Sequence, residues 1–245
     1  MVGRIFLLLV VGCLFFSCKK TSVCTSPKGK DVILDFPMED LGQLMIFEGF
    51  NGTFIFDSLA PEKVVVKGGE KWLEGFSIKR NEEGQVEIKN GLSCRWLSPK
   101  KSFFNLEIHL KELKLLEYHG GGELLSEGVN TTDRFEYQQW EASGSVSMEV
   151  DTREVELVFN TGPGDIYISG TTKKLLAFSN SEGRFRAEQL KASIAYVVNE
   201  GIGDFHIWVD DLLEGEVVRT GNVYYSGSPV VRVNTYGQGK FIAVE

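Results

Sequence analysis

Three histidines and four cysteines are too few and too scattered for a metal-built or thiol-built protein. His109, His119 and His206 are separated by 10 and 87 residues, which matches no ligand spacing. No His-Glu-x-x-His zinc motif is present, and no Ser–His–Asp or Cys–His constellation can be assembled. The reading is therefore of a chain with no metal and no cofactor. Basic charge is short too: 26 Lys and Arg face 34 Asp and Glu, a net charge of −8 with no basic stripe, which excludes nucleic acid as the partner. Long amphipathic helical stretches are absent, and the best helical candidates are short, at Lys111–Leu116 and Glu188–Ala192.

Long apolar runs are also missing. The longest, Ile5–Phe16 ("IFLLLVVGCLFF"), is 12 residues, short of the roughly 20 that a spanning helix needs. Behind Arg4 it has the length of a signal-peptide core. Ser17 and Cys18 follow, and a small residue before cysteine at that point resembles a bacterial lipoprotein cleavage site. Cys18 is then the lipidated N-terminus. Cleavage before Cys13 would leave a shorter apolar core and put "LFF" on the mature chain. Loss of residues 1–17 removes one positive charge and moves the balance from −8 to −9. Cys24 and Cys94 remain as the other thiols of the mature chain. In an oxidising envelope they could pair as a disulfide; the alternative is one tether cysteine and one buried one.

Glycine, by contrast, is abundant, and it recurs. Gly122, Gly144, Gly164, Gly183, Gly203, Gly221 and Gly239 follow one another at steps of 22, 20, 19, 20, 18 and 18 residues. The residue after each is polar: Glu123, Ser145, Asp165, Arg184, Asp204, Asn222, Lys240. The second residue after each is apolar: Leu124, Val146, Ile166, Phe185, Phe205, Val223, Phe241. The fourth (Ser126, Met148, Ile168, Ala187, Ile207, Tyr225, Ala243) is mostly apolar. An alternation of period two means short, half-buried strands. A repeat of about 19 residues built from such strands and glycine turns indicates a β-solenoid.

In a solenoid each coil lies about 4.8 Å above the last, so equivalent residues stack in columns. Glycine recurs because a tight corner needs positive φ, or because stacked backbones approach too closely for a Cβ. Four residues before the glycine, Asn160, Ser179 and Asn199 would form a polar ladder along one inner corner. Other uses of glycine fit less well. "GIGDFH" lacks the third glycine of a dinucleotide fingerprint and runs into a strand. The period is twice that of a calcium-binding nonapeptide roll, and its Asp column is interrupted.

Residues 18–30 read as a lipidated N-terminus and tether. Residues 31–118 keep the strand pattern ("VILDF", "GTFIF", "KVVVK", "QVEIK", "FNLEIHL") but lose the glycine period, which suits irregular coils and a cap. Residues 119–245 are the regular coils. With no obvious cap after the seventh corner, the last coil is expected to be covered by another protomer, giving a homo-oligomer through the C-terminal coil.

The motifs "NTGPGDIYISG", "NEGIGDFHIW", "RTGNVYYSGSP" and the closing "YGQGKF" resemble the putative auto-transporter adhesin, head GIN-domain family of bacterial envelope proteins. "FEGFNGTFIF", "VVVKG" and "LEIHLKELKLLEYHGGG" are similar to its opening, so the resemblance covers roughly residues 40–245. The first glycine is missing at "SEGR" and "RTGN". The resemblance implies an all-β, right-handed parallel β-helix akin to the pectin-lyase architecture, without catalytic residues and with a role in adhesion. The implied attachment is a lipid at Cys18, in the outer membrane, rather than a translocator barrel.

Two kinds of chemistry can be placed on the columns. Asp165 and Asp204 would lie about 9.6 Å apart at one corner, near the separation of an inverting glycosidase. Arg184 between them would pair with both and hold both ionised, where a general acid must keep its proton. A polysaccharide hydrolase or lyase is thus the alternative reading, and a solvated charge ladder the plainer one. Three residues after the glycine, Tyr167, Arg186, His206 and Tyr224 would share an outward face able to stack on sugar rings or pack on a protein. Trp72, Trp96, Trp140 and Trp208 read as core or corner packing. The sequence reading is a non-catalytic, envelope-anchored β-helix for adhesion or for glycan or protein binding; a purely structural envelope protein is the third possibility.

Overall fold

The computed structural model describes residues 29–91 and 104–244. Cys13, Cys18, Cys24, Cys94 and Trp96, and with them the lipidation and disulfide expectations, lie outside the described residues. Among those described, the chain forms strands β1 (Asp31–Pro37), β2 (Gln43–Glu48), β3 (Asn51–Phe56) and β4 (Lys63–Gly69), a single-turn helix α1 (Glu70–Leu73), then β5 (Phe76–Arg80), β6 (Val86–Asn90), β7 (Phe104–Leu110), β8 (Leu115–Gly120), β9 (Glu123–Asn130) and β10 (Arg134–Gln139). Four long strands follow, β11 (Ser145–Phe159), β12 (Asp165–Ser179), β13 (Phe185–Asn199) and β14 (Phe205–Val217), and then β15 (Val223–Ser226), β16 (Val230–Thr235) and β17 (Phe241–Ala243).

Pairing along the stack is parallel, and the fold is a β-solenoid. Each coil supplies one strand to each of two faces. Face A stacks β3, β9, the first halves of β11 to β14, β15 and β17. Face B stacks β2, β8, β10, the second halves of β11 to β14, and β16. The long strands bend between the faces near Thr152 and Thr172, whose hydroxyls lie 3.3 Å apart inside the corner.

The column two residues after the corner glycine is continuous. Leu124, Val146, Ile166, Phe185, Phe205, Val223 and Phe241 are successive register partners. All but the last are fully buried. Phe159, Phe185 and Phe205 meet in the core with ring centroids 4.1 Å apart at each step. The corner glycines stack on one another as well: a Cβ on each of Gly144, Gly164, Gly183, Gly203, Gly221 and Gly239 would meet the carbonyl oxygen of the glycine one coil below. Close approach of stacked backbones, not positive φ, is therefore what demands glycine at this column.

The first coils are out of chain order. The β6–β7 coil lies outside the β2–β3 coil, and the chain then returns to lay β8–β9 on its other side. β4 runs antiparallel to β7, β1 antiparallel to β4, and β5 antiparallel to β6, so the N-terminal end is capped by antiparallel strands. A tandem period cannot appear in sequence where neighbouring coils are not consecutive.

Three expectations need correction. Lys111–Leu116 is not helical; it leads directly into β8. Glu188–Ala192 lies inside β13, where the ladder bulges. The inner polar ladder is shifted by one residue: Ser179 stacks on Phe159, not on Asn160, because the corner after Ser179 is one residue shorter. Its members bond corner backbone, of their own coil or the next, and not one another. Asn199 donates to the Gly203 carbonyl and accepts from Gly201 N–H. Gln139 donates to the Gly162 carbonyl, and Tyr118 to that of Gly122.

Candidate binding face

At Asp165, Asp204 and Asn222 the polar residue after the corner glycine has a structural task. The Asp165 carboxylate accepts the backbone N–H of Arg184 at 3.0 Å and the Arg184 guanidinium at 2.6 Å. One step further, Asp204 accepts the N–H of Asn222 at 2.7 Å, and Asn222 accepts that of Lys240 at 3.1 Å. Asn51 does the same for Glu123. These side chains tie each coil to the next. The Asp165 partnership also raises the Arg184 pKa above its usual value, chiefly through the side-chain hydrogen bond. The expectation that Arg184 bonds both carboxylates gives way to an ion pair with Asp165, while Asp204 is engaged by backbone from the coil above.

On face A the column three residues after the glycine runs Leu125, Ser147, Tyr167, Arg186, His206, Tyr224, each the register partner of the next. The structure thus brings Tyr167, Arg186, His206 and Tyr224 together in one outward line. Tyr167 is 42% exposed. His206 and Tyr224 stack ring on ring, centroids 4.8 Å apart at 18°. Partial burial first, and then the neighbouring Arg186, push the His206 pKa below its usual value of 6.5.

What the column alone does not convey is relief. Against β11, β9 carries extra residues between Leu125 and Val129, with Gly128 at φ 82° supplying the turn. Against β12, β13 carries one extra residue after Arg186, and against β14 it carries three after Ala187. Bulges of this kind push backbone outward and re-aim side chains. They raise two walls over a floor of unbulged β11 and β12. The result is a groove of about 450 Å³. Ser147, Glu149, Tyr167 and Ser169 line its floor; Leu125 and Ser126 form one wall, and Arg186, Glu188 and Gln189 the other. The Ser126 hydroxyl accepts the Glu149 N–H at 3.1 Å, fixing wall to floor. Of the four residues singled out from sequence, Tyr167 and Arg186 lie in the groove, whereas His206 and Tyr224 continue the line beyond it.

Other polar and aromatic groups have local partners. His119 stacks on Phe47 at 4.4 Å and bonds Glu117 at 2.7 Å. Trp208 faces outward, not into the core, and donates to Asp210 at 2.8 Å; Trp140 is 39% exposed at a corner. Among the described residues no three His, Cys, Asp or Glu side chains gather into a metal-holding group.

The family described as "Putative auto-transporter adhesin, head GIN domain" matches residues 43–229. Among solved structures, a "putative adhesin" from Bacteroides fragilis NCTC 9343 superposes with a TM-score of 0.80 at 16% identity, covering 88% of this chain and 97% of its own. A "putative adhesin" from Parabacteroides distasonis ATCC 8503 gives 0.62 at 19% identity, with 88% and 98% covered. A "putative lipid binding protein" from the same organism gives 0.64 at 16% identity, with 89% and 98% covered. At these identities the likeness is one of fold. No curated protein matches the chain.

Proposed function

This chain belongs to the family described as "Putative auto-transporter adhesin, head GIN domain", and on that premise we propose a non-catalytic binding scaffold of the bacterial envelope, anchored by lipid on Cys18 and adhering through a glycan held in the face A groove. The groove itself carries the reading. A sugar ring has an apolar face and an equatorial belt of hydroxyls, so it needs an aromatic surface beside fixed donors and acceptors. Tyr167 offers the surface; Arg186, Glu149, Glu188 and Gln189 offer the hydrogen bonds. A volume of about 450 Å³ lies in the range of small-ligand clefts. Its short, largely polar lining of Ser, Glu, Gln and Arg side chains is unlike the apolar, aromatic-rich centre of a stable protein interface.

Rigidity favours the same use. The floor strands are backed by fully buried Val146 and Ile166, so binding orders little that is not already ordered. The corner carboxylates, which a hydrolase would need, are engaged in joining coils. A glycan array probed with the purified protein tests the proposal. Retention of a subset of glycans without cleavage is expected, and Tyr167→Ala combined with Arg186→Ala should weaken it at least tenfold. Unchanged retention by that double variant, or release of reducing ends, would count against it.

A further inference from the structure

One charge in the face A groove lacks a counterpart. Elsewhere the arginines are engaged: Arg184 pairs with Asp165 at 2.6 Å, Arg153 with Asp133 at 2.8 Å and Arg232 with Glu214 at 3.4 Å. Arg134 bonds Glu156, and Arg80 donates to the Glu39 and Asp40 carbonyls. The Arg186 guanidinium has no hydrogen bond or ion pair among the described residues. Arg219, which has none either, is exposed in a corner bend. Arg186 instead is half-buried in the middle of a sheet face, between Tyr167 on the coil before and His206 on the coil after. A guanidinium so placed has given up part of its hydration, and nothing in the protein replaces it. Its planar fork matches a carboxylate through two parallel N–H···O bonds.

We propose that the groove selects a sugar bearing a carboxylate, a uronic or other acidic sugar, with its ring on Tyr167 and its carboxylate held by Arg186. This selection rests on the glycan reading of the groove and adds the class of sugar. The spacing suits a single residue: Tyr167 and Arg186 are register partners, about 4.8 Å apart along the stack, so a ring and the acid group it carries reach both. The acids of the groove set the direction. Glu149 lies two coils from Arg186 and two residues along the strand, about 12 Å away by strand spacings. Glu188 stands on the bulge of the wall. Both are exposed, so water screens their charge more than that of Arg186. Each accepts sugar hydroxyls and repels a second carboxylate, which turns the acidic end of the sugar toward Arg186 and its hydroxyls toward Glu149.

Matched pairs of immobilised oligosaccharides test this, one member with its uronic carboxylates intact and the other with them reduced to primary alcohols. The purified protein should hold the acidic member at least roughly tenfold more tightly, the effect of a charge-assisted bond. Arg186→Gln should abolish that preference and Arg186→Lys should keep part of it. Tyr167→Ala should weaken both members alike and leave the preference, which a merely structural role of Arg186 would not reproduce. The His206 imidazole supplies a readout besides affinity. The charges acting on it are Arg186, Glu188, Asp204 and Arg184, and Arg186 lowers its pKa. A carboxylate on Arg186 offsets that field, so the His206 pKa followed by NMR should rise on loading the acidic member and stay in place with the reduced one. Equal retention of both members, or preference for sulfated over carboxylated glycans, overturns carboxylate selection while leaving a glycan groove. Retention of no glycan at all removes both.

Discussion

Gly203 sits where a Cβ would collide with the carbonyls of Gly183 and Glu182, both rigid backbone. Relief would require separating two coils, so Gly203→Ala is expected to cost about 3 kcal/mol, at the upper end of overpacking changes. Gly42 is the control. A Cβ there meets the Glu112 carbonyl at 3.7 Å, an ordinary contact, with no positive φ. Gly42→Ala should stay within about 0.5 kcal/mol in the same denaturant titration. Equal effects at the two positions would mean that close stacking is not what selects glycine. His206 gives a second residue-scale expectation. Its pKa is lowered in the folded state by burial and by Arg186. The unfolded chain therefore takes up its proton first as pH falls. The stability that His206 contributes is complete above about pH 6.5 and is lost as pH drops through the lowered folded value. His206→Phe keeps the stack on Tyr224 and removes the proton site. Its melting temperature should fall less between pH 7 and 5 than that of the parent protein; an identical slope would remove His206 from the account.

Among the elements, legibility depended on which neighbour a strand pairs with. From β8 onward the next coil is the next stretch of chain, so period, inner columns and outer line could all be read from glycine spacing. Upstream, "GTFIF" and "FNLEIHL" are plainly strands, yet they become neighbours only because β6 and β7 are laid down outside β2 and β3. No local pattern encodes that return. The groove was half legible. Tyr167 and Arg186 fall in one column by counting, but the walls come from bulges, and a strict alternation conceals them. The signals were faint ones: a 22-residue first step, a serine at position 126 in an otherwise apolar column, and one more residue from Gly183 to Asn199 than from Gly164 to Ser179. The same extra residues made Glu188–Ala192 look helical. Counting back from glycine assumes corners of equal length, but the corner after Ser179 is one residue shorter than that after Phe159, so the inner ladder shifts by one position.

At the scale of the whole molecule, the stack converts a sequence period into two surfaces of different character. Face A carries a small polar groove with an aromatic floor; face B carries the exposed apolar side chains of Ile194 and Tyr196 within a charged border. Both rest on one continuous core running from Leu41 to Val223, so the groove does not need to order itself on binding. Antiparallel strands close the N-terminal end, and at the other end of the described residues β16 pairs with β14 and β17 with β15. The groove between the bulges of β9 and β13 is the proposed seat of the ligand. The most direct measurement is an amide chemical-shift map of the protein titrated with the tightest-binding array glycan. Saturable shifts clustered at residues 125–129, 147–149, 167–169 and 186–190 are expected. Shifts centred on face B or on the C-terminal coil, with those four segments unmoved, would contradict the account.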